Sequence, residues 1–195
     1  KCWQLFATAT QDWVIKMSQQ DDIEYQLDTL AIRTGHTRSF EGEHGEPIFL
    51  TSSFVYENAA EAAAKFSGQE PGNIYSRFTN PTVAMFEKRL AALEGAERAV
   101  ATSTGMAAIM AVAMSYLKLG DHVICSRAVF GSILSLFEKY VIKFGVDVTF
   151  VDLGDLDAWK QAIRPNTRLL FIETPSNPLA QVGDLQAIAD IAHAH

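Results

Sequence analysis

Residues 119–151 read LGDHVICSRAVFGSILSLFEKYVIKFGVDVTFV, and this stretch decides the fold. His122 to Ser126 is a short apolar run after the Gly120-Asp121 turn, which predicts a strand. Phe130, Ile133, Leu134, Phe137, Tyr140, Val141 and Phe144 then recur at helical spacing and predict one helix over 130–144. Gly145 stops it, and Val146 to Val151 reads as a second strand. Outward from this unit the alternation continues. Downstream come a helix over 156–163, a strand over 168–173 and a helix opened by Gly183-Asp184. Upstream come a short strand over 98–102 and an apolar helix over 105–119. Alternation of this kind predicts an α/β fold, a mostly parallel sheet with helices on both faces.

The first half reads differently. Residues 22–47 are polar with several glycines, as in an extended N-terminal arm, and 48–56 is β-branched and aromatic, a strand or extended segment. Asn58 with Glu61 opens a helix over 59–66 that Gly68 ends. Residues 68–79 form a polar loop. Asn80-Pro81 then caps a helix carrying Val83, Phe86, Leu90 and Leu93 on one side, and Gly95 stops it. Residues 1–16 precede a Met17-Ser-Gln-Gln start and read as a non-native or upstream extension. The expected organisation is that extension, an arm with a short helix over 17–67, and the sheet-forming part over 68–195. The last helix has no strand after it, so the chain is expected to be cut short at its C-terminus.

Composition narrows the function. The 195 residues carry 16 Lys+Arg against 23 Asp+Glu, a net charge of -7. No basic stripe suits a nucleic-acid backbone. The most apolar run, Met106 to Met114, is too short for a bilayer. Two cysteines make neither a disulfide framework nor a metal cluster, so a reducing compartment, the cytoplasm, and no metal are expected. Dinucleotide, P-loop and nucleophile-elbow fingerprints are missing. His122, at a strand start, reads as structural.

In parallel sheets, ligands sit where strands end and helices begin. Thr102-Ser103-Thr104-Gly105-Met106 is such a junction. Its free N–H groups suit a phosphate, although Ser/Thr-Gly before a helix is ordinarily just a cap. In Tyr75-Ser76-Arg77, the Arg77 fork could grip a phosphate and Tyr75 offers a hydroxyl; the plain alternative is a solvated or ion-paired arginine. Asn177 lies between Pro175 and Pro178, which fix the backbone around it; alternatively its amide bonds only its own turn. Phe130 opens a helix and could cover a flat ligand or simply join the core.

In order and spacing, YSRFTNPT, STGMAA, GDHVICSRAVFGS and ETPSNP together resemble the Cys/Met-metabolism family of pyridoxal-phosphate enzymes, from about residue 28 to 195. The arm is most similar to the O-succinylhomoserine sulfhydrylase subgroup. The resemblance implies the large-domain fold of fold-type I transferases. It implies that the amides of Gly105 and Met106 hold the phosphate of pyridoxal 5'-phosphate and that Phe130 stacks on its ring. Many members have a tyrosine at that position, so the proton-transfer role of a hydroxyl is put in doubt. Asn177 is implied to lie near the ring oxygen and substrate carboxylate, with Glu173 in support. Tyr75 and Arg77 are implied to reach the cofactor of a neighbouring subunit in a homo-oligomer, a dimer of dimers in the family. The implied reaction replaces the acyloxy group of an O-acylhomoserine with sulfide, giving homocysteine for methionine. Cystathionine synthases and lyases and methionine γ-lyases are alternatives within the family, and a non-catalytic module pairing with full-length subunits or a binding module for another phosphate are alternatives outside it.

One departure stands out. The family holds its cofactor through a lysine in a Ser-x-Thr-Lys context, and none of the lysines here, at 1, 16, 65, 88, 118, 139, 143 and 160, lies in one. No catalytic residue is therefore expected within this chain, and it is expected to be inactive alone.

Overall fold

The computed structural model describes residues 25–195, and the expectations for residues 1–16 lie outside them. The described chain forms two compact units, divided between Ala101 and Thr102.

The unit from Thr102 onward contains helix α4 (Gly105–Tyr116), strand β1 (His122–Ser126), α5 (Gly131–Lys139) and a 3-10 turn (Val141–Phe144), followed by β2 (Asp147–Val151), α6 (Leu156–Ala162), β3 (Thr167–Phe171) and α7 (Leu185–His193). The three strands form a parallel sheet in the order β2-β1-β3. All five residues of β1 are buried, which explains why its sequence lacks apolar–polar alternation. Its side chains divide between two cores. Val123 and Cys125 pack with Ala113, Ile133, Phe137 and Val141 on one face. Ile124 packs with Trp159, Ile188 and Ile191 on the other. This is the predicted α/β fold with helices on both faces.

His122 is fully buried at the start of β1. Its Nδ1 lies 2.8 Å from Thr167 Oγ1 on β3 and its Nε2 2.8 Å from Thr149 Oγ1 on β2, so one imidazole straps three strands together. Burial, then the Arg164 guanidinium, hold its pKa below the usual histidine value, against a smaller upward pull from Asp147. The ring is structural, as read from the sequence. A histidine whose folded pKa is depressed stabilises the fold above its unfolded value, about 6.5, and that stability is lost as pH falls from there through the lower folded value. The melting temperature should therefore drop between neutral and mildly acid pH, and His122→Gln should flatten the drop. Equal slopes in the two proteins would refute this. The Cys125 thiol is pushed up to about 12, chiefly by burial, and is not a nucleophile at neutral pH.

The unit ending at Ala101 holds α1 (Leu27–Arg33), α2 (Ala59–Phe66) and α3 (Pro81–Glu94). Its caps follow the sequence reading. Asn58 accepts the Glu61 N–H at 2.9 Å, Glu61 in turn accepts the Glu57 N–H, and Asn80 accepts the Thr82 N–H at 2.9 Å. Gly95 closes α3 at φ 61°.

Five expectations need correction. The arm over 22–47 is not wholly extended: 27–33 is helical, with Asp28 in its first turn and Arg33 in its last, and it packs on α3. Arg89 of α3 donates to the Thr34 carbonyl at its end. Residues 48–56 form no strand, only one isolated bridge, Ser53 to Tyr75. Residues 98–102 belong to no strand, and Val100 is 82% exposed. The helix predicted over 105–119 ends at Tyr116. The helix predicted over 130–144 breaks at Tyr140 into a tighter turn, which buries Val141 and leaves Ile142 and Phe144 exposed, so Phe144 does not share the core face.

Candidate functional site

The turn before α4 is built by its own hydroxyls. Thr104 has extended backbone and its Oγ1 accepts the Ala107 N–H at 3.0 Å, while its carbonyl accepts the Ala108 N–H at 3.1 Å. Thr102 Oγ1 donates to the Thr104 carbonyl at 2.8 Å. That leaves the N–H groups of Gly105 and Met106 without a partner among the described residues. They sit at the positive end of a 12-residue helix, on an exposed turn. A Cβ added at Gly105 would meet nothing within 4 Å. The turn itself therefore does not demand glycine; its effect is to leave space in front of two free donors. A phosphate fits that arrangement. A short link joins the end of α4 to the start of β1, and Met106 and Ile109 pack on the β1 core. The helix thus runs antiparallel to the strands, and its N-terminus lies at their carboxyl ends.

Two more candidate residues follow strand ends in the same unit. Phe130 is the residue capping α5, and it is 45% exposed rather than in the core. It has no side-chain acceptor to offer the helix. Instead Glu173, just past β3, accepts the Phe130 N–H through Oε2 at 2.8 Å. Beyond Glu173 the loop folds on itself. Ser176 is buried, its N–H donates to the Gln181 carbonyl at 2.9 Å and its Oγ accepts the Gln181 N–H at 3.0 Å. Thr174 Oγ1 accepts the Gly183 N–H at 3.0 Å. Asn177 stands at the exposed tip, and among the described residues its amide has no hydrogen-bond partner. Thr174 and Ser176 were not singled out from the sequence, although a hydroxyl on each side of Pro175 was the available signal.

Tyr75 and Arg77 belong to the other unit. The Tyr75 carbonyl accepts the N–H groups of Phe78 and Thr79, and the buried Asn80 amide donates to the Phe49 carbonyl and Ser76 Oγ, so the loop is held at several points. The Arg77 guanidinium lies 5.0 Å from the Phe78 ring centre and 5.6 Å from that of Tyr75. It is exposed and forms no ion pair among the described residues. Stacking on two rings orders its planar fork while leaving its N–H edge open.

Residues 28–195 match the family model described as Cys/Met metabolism PLP-dependent enzyme. The chain belongs to that family. This Cys/Met metabolism chain is 57% identical over 185 residues to an O-succinylhomoserine sulfhydrylase of Pseudomonas aeruginosa, covering 95% of itself and 46% of that protein. It is 40% identical to an L-methionine gamma-lyase of Fusobacterium nucleatum subsp. polymorphum, covering 88% of itself and 44% of the lyase. Among solved structures, an O-acetylhomoserine (thiol)-lyase of Campylobacter jejuni carrying N'-pyridoxyl-lysine-5'-monophosphate superposes with a TM-score of 0.80 at 33% identity, over 88% of this chain and 42% of that one. The chain thus spans a little under half the length of the relatives it matches. No helix among the described residues is long and apolar enough to cross a membrane.

Proposed function

We propose that this chain is the cofactor-phosphate and ring-stacking portion of a PLP-dependent sulfhydrylase that converts O-succinylhomoserine, or O-acetylhomoserine, and sulfide to homocysteine in the cytoplasm. The 57% identity to the Pseudomonas aeruginosa sulfhydrylase carries this reading. The bound cofactor supplies an electron sink for removing protons beside the substrate amine.

The rest is work for side chains and amides of this chain. Gly105 and Met106 donate their free N–H groups to the phosphate, aided by the α4 dipole. Phe130 lays an exposed ring against the pyridine; without a hydroxyl it moves no proton. Asn177 offers an unengaged amide to the ring oxygen and the substrate carboxylate. Tyr75 and Arg77 bind the phosphate in a neighbouring subunit, which makes a homo-oligomer the working unit. No lysine here lies in the cofactor-bearing Ser-x-Thr-Lys context, so the 195 residues hold the cofactor without turning over substrate.

The chain should therefore bind pyridoxal 5'-phosphate, measured by absorbance titration, far more tightly than pyridoxal. Borohydride should leave no one-to-one lysine adduct. Equal affinity for the two would overturn the phosphate site, and a stoichiometric adduct on one lysine would overturn the inactivity. The 40% identity to a methionine γ-lyase supports a second reading. Joined to the remaining part of the Pseudomonas aeruginosa relative, the chain should give homocysteine from O-succinylhomoserine and sulfide; methanethiol released from methionine instead would favour the lyase.

A further inference from the structure

Among the described residues, five of seven α-helices are capped by a side chain of the residue before them. Asn58, Asn80, Thr104, Asp155 and Asp184 each accept an N–H from the first turn of the helix they precede. Helix α1, after Gln26, has no such acceptor, and neither has α5. The residue capping α5 is Phe130, whose side chain accepts nothing, and the residue is not spent on the core because nearly half of it is exposed. A break in local consistency of this kind points to a position held for another purpose. Glu173, 43 residues later and just past the end of a neighbouring strand, instead takes the N–H of the capping residue itself, holding Phe130 through its carboxylate at 2.8 Å. A carboxylate placed there also faces the positive end of α5.

We infer that Glu173 is a positioning residue: by bonding the backbone of Phe130 it fixes the entry of α5 and with it the plane of the stacking ring. The inference rests on the reading above, in which Phe130 stacks on the cofactor. The bond ties the carboxyl ends of β1 and β3 together, so the ring and the Asn177 loop, which begins directly after Glu173, are set by one carboxylate. Glu173 touches no reacting atom in this role. Its part is to remove the freedom of the Phe130 backbone before any ligand arrives.

Two readouts test this on the 195-residue chain. The first needs no cofactor: in wild type the Phe130 amide should be protected from hydrogen exchange. In Glu173→Ala exchange should rise by about tenfold, the equivalent of one charge-assisted hydrogen bond. Glu173→Gln keeps an acceptor oxygen and should restore most of the protection. The second is the circular dichroism induced in the absorption band of added pyridoxal 5'-phosphate, which should fall by about half or more in Glu173→Ala and recover in Glu173→Gln. An unprotected Phe130 amide in folded wild type, or a Glu173→Ala chain that matches wild type in both readouts, overturns the positioning role. If Glu173→Ala does not fold, the wild-type amide and the Glu173→Gln spectrum still decide it. Protection that responds to Glu173 while wild type shows no induced signal would leave the bond intact and refute the stacking reading instead.

Discussion

Gly105→Asp is expected to remove phosphate-dependent binding while leaving the fold intact. Apart from its own turn of chain, the new Cβ meets nothing within 4 Å, so no clash with packed neighbours arises. An aspartate in the first turn of α4 also suits the helix dipole, so the melting temperature should hold or rise slightly. A carboxylate about 4 Å from a phosphate costs on the order of 4 kcal/mol per charge pair near a protein surface. Affinity for pyridoxal 5'-phosphate should therefore fall by about 100-fold or more. Thermal unfolding and absorbance titration on one preparation separate the two effects. A variant that melts normally and binds normally would remove the phosphate from this turn.

The other large effect is on stability. Phe137 is fully buried on α5, its ring 5.4 Å from that of Phe171 at a 54° tilt. Phe137→Ala should cost about 3–5 kcal/mol through lost burial and the cavity left behind. For a domain whose whole stability is of order 5–15 kcal/mol, that is a large share. Phe130→Ala, at the head of the same helix with an exposed ring, should change stability by no more than about 0.5 kcal/mol while weakening cofactor binding. Urea unfolding distinguishes the two. Similar losses at both positions would mean that Phe130 serves the core after all.

What was legible in the sequence is what local chemistry determines. Asn58 with Glu61, Asn80-Pro81, Thr104-Gly105 and Asp184 each mark a helix start with atoms only a few residues apart, and all four lie where they were read. The strand His122–Ser126 was equally plain, because Val123, Ile124 and Cys125 form an apolar run without alternation, as burial on both faces requires. The candidate site was legible as a set of junctions: the exposed turn at Gly105, the exposed ring of Phe130 and the free amide of Asn177 fall at strand or helix ends as expected. The misses depend on distant partners. Helix α1 forms against α3, which lies some fifty residues away in the chain. Residues 98–102 have strand composition, but composition cannot supply a neighbouring ladder. The break at Tyr140 reflects the demand to bury Val141 over Phe144. The link from Glu173 to Phe130 joins positions that no periodicity connects.

Strand β1 is bonded along both edges and its side chains are shared between two separate cores. Releasing it therefore requires breaking two ladders and opening two cores together. Its amides should trade deuterium only when the whole unit opens, so they report the global free energy directly, while every other segment registers some cheaper local event.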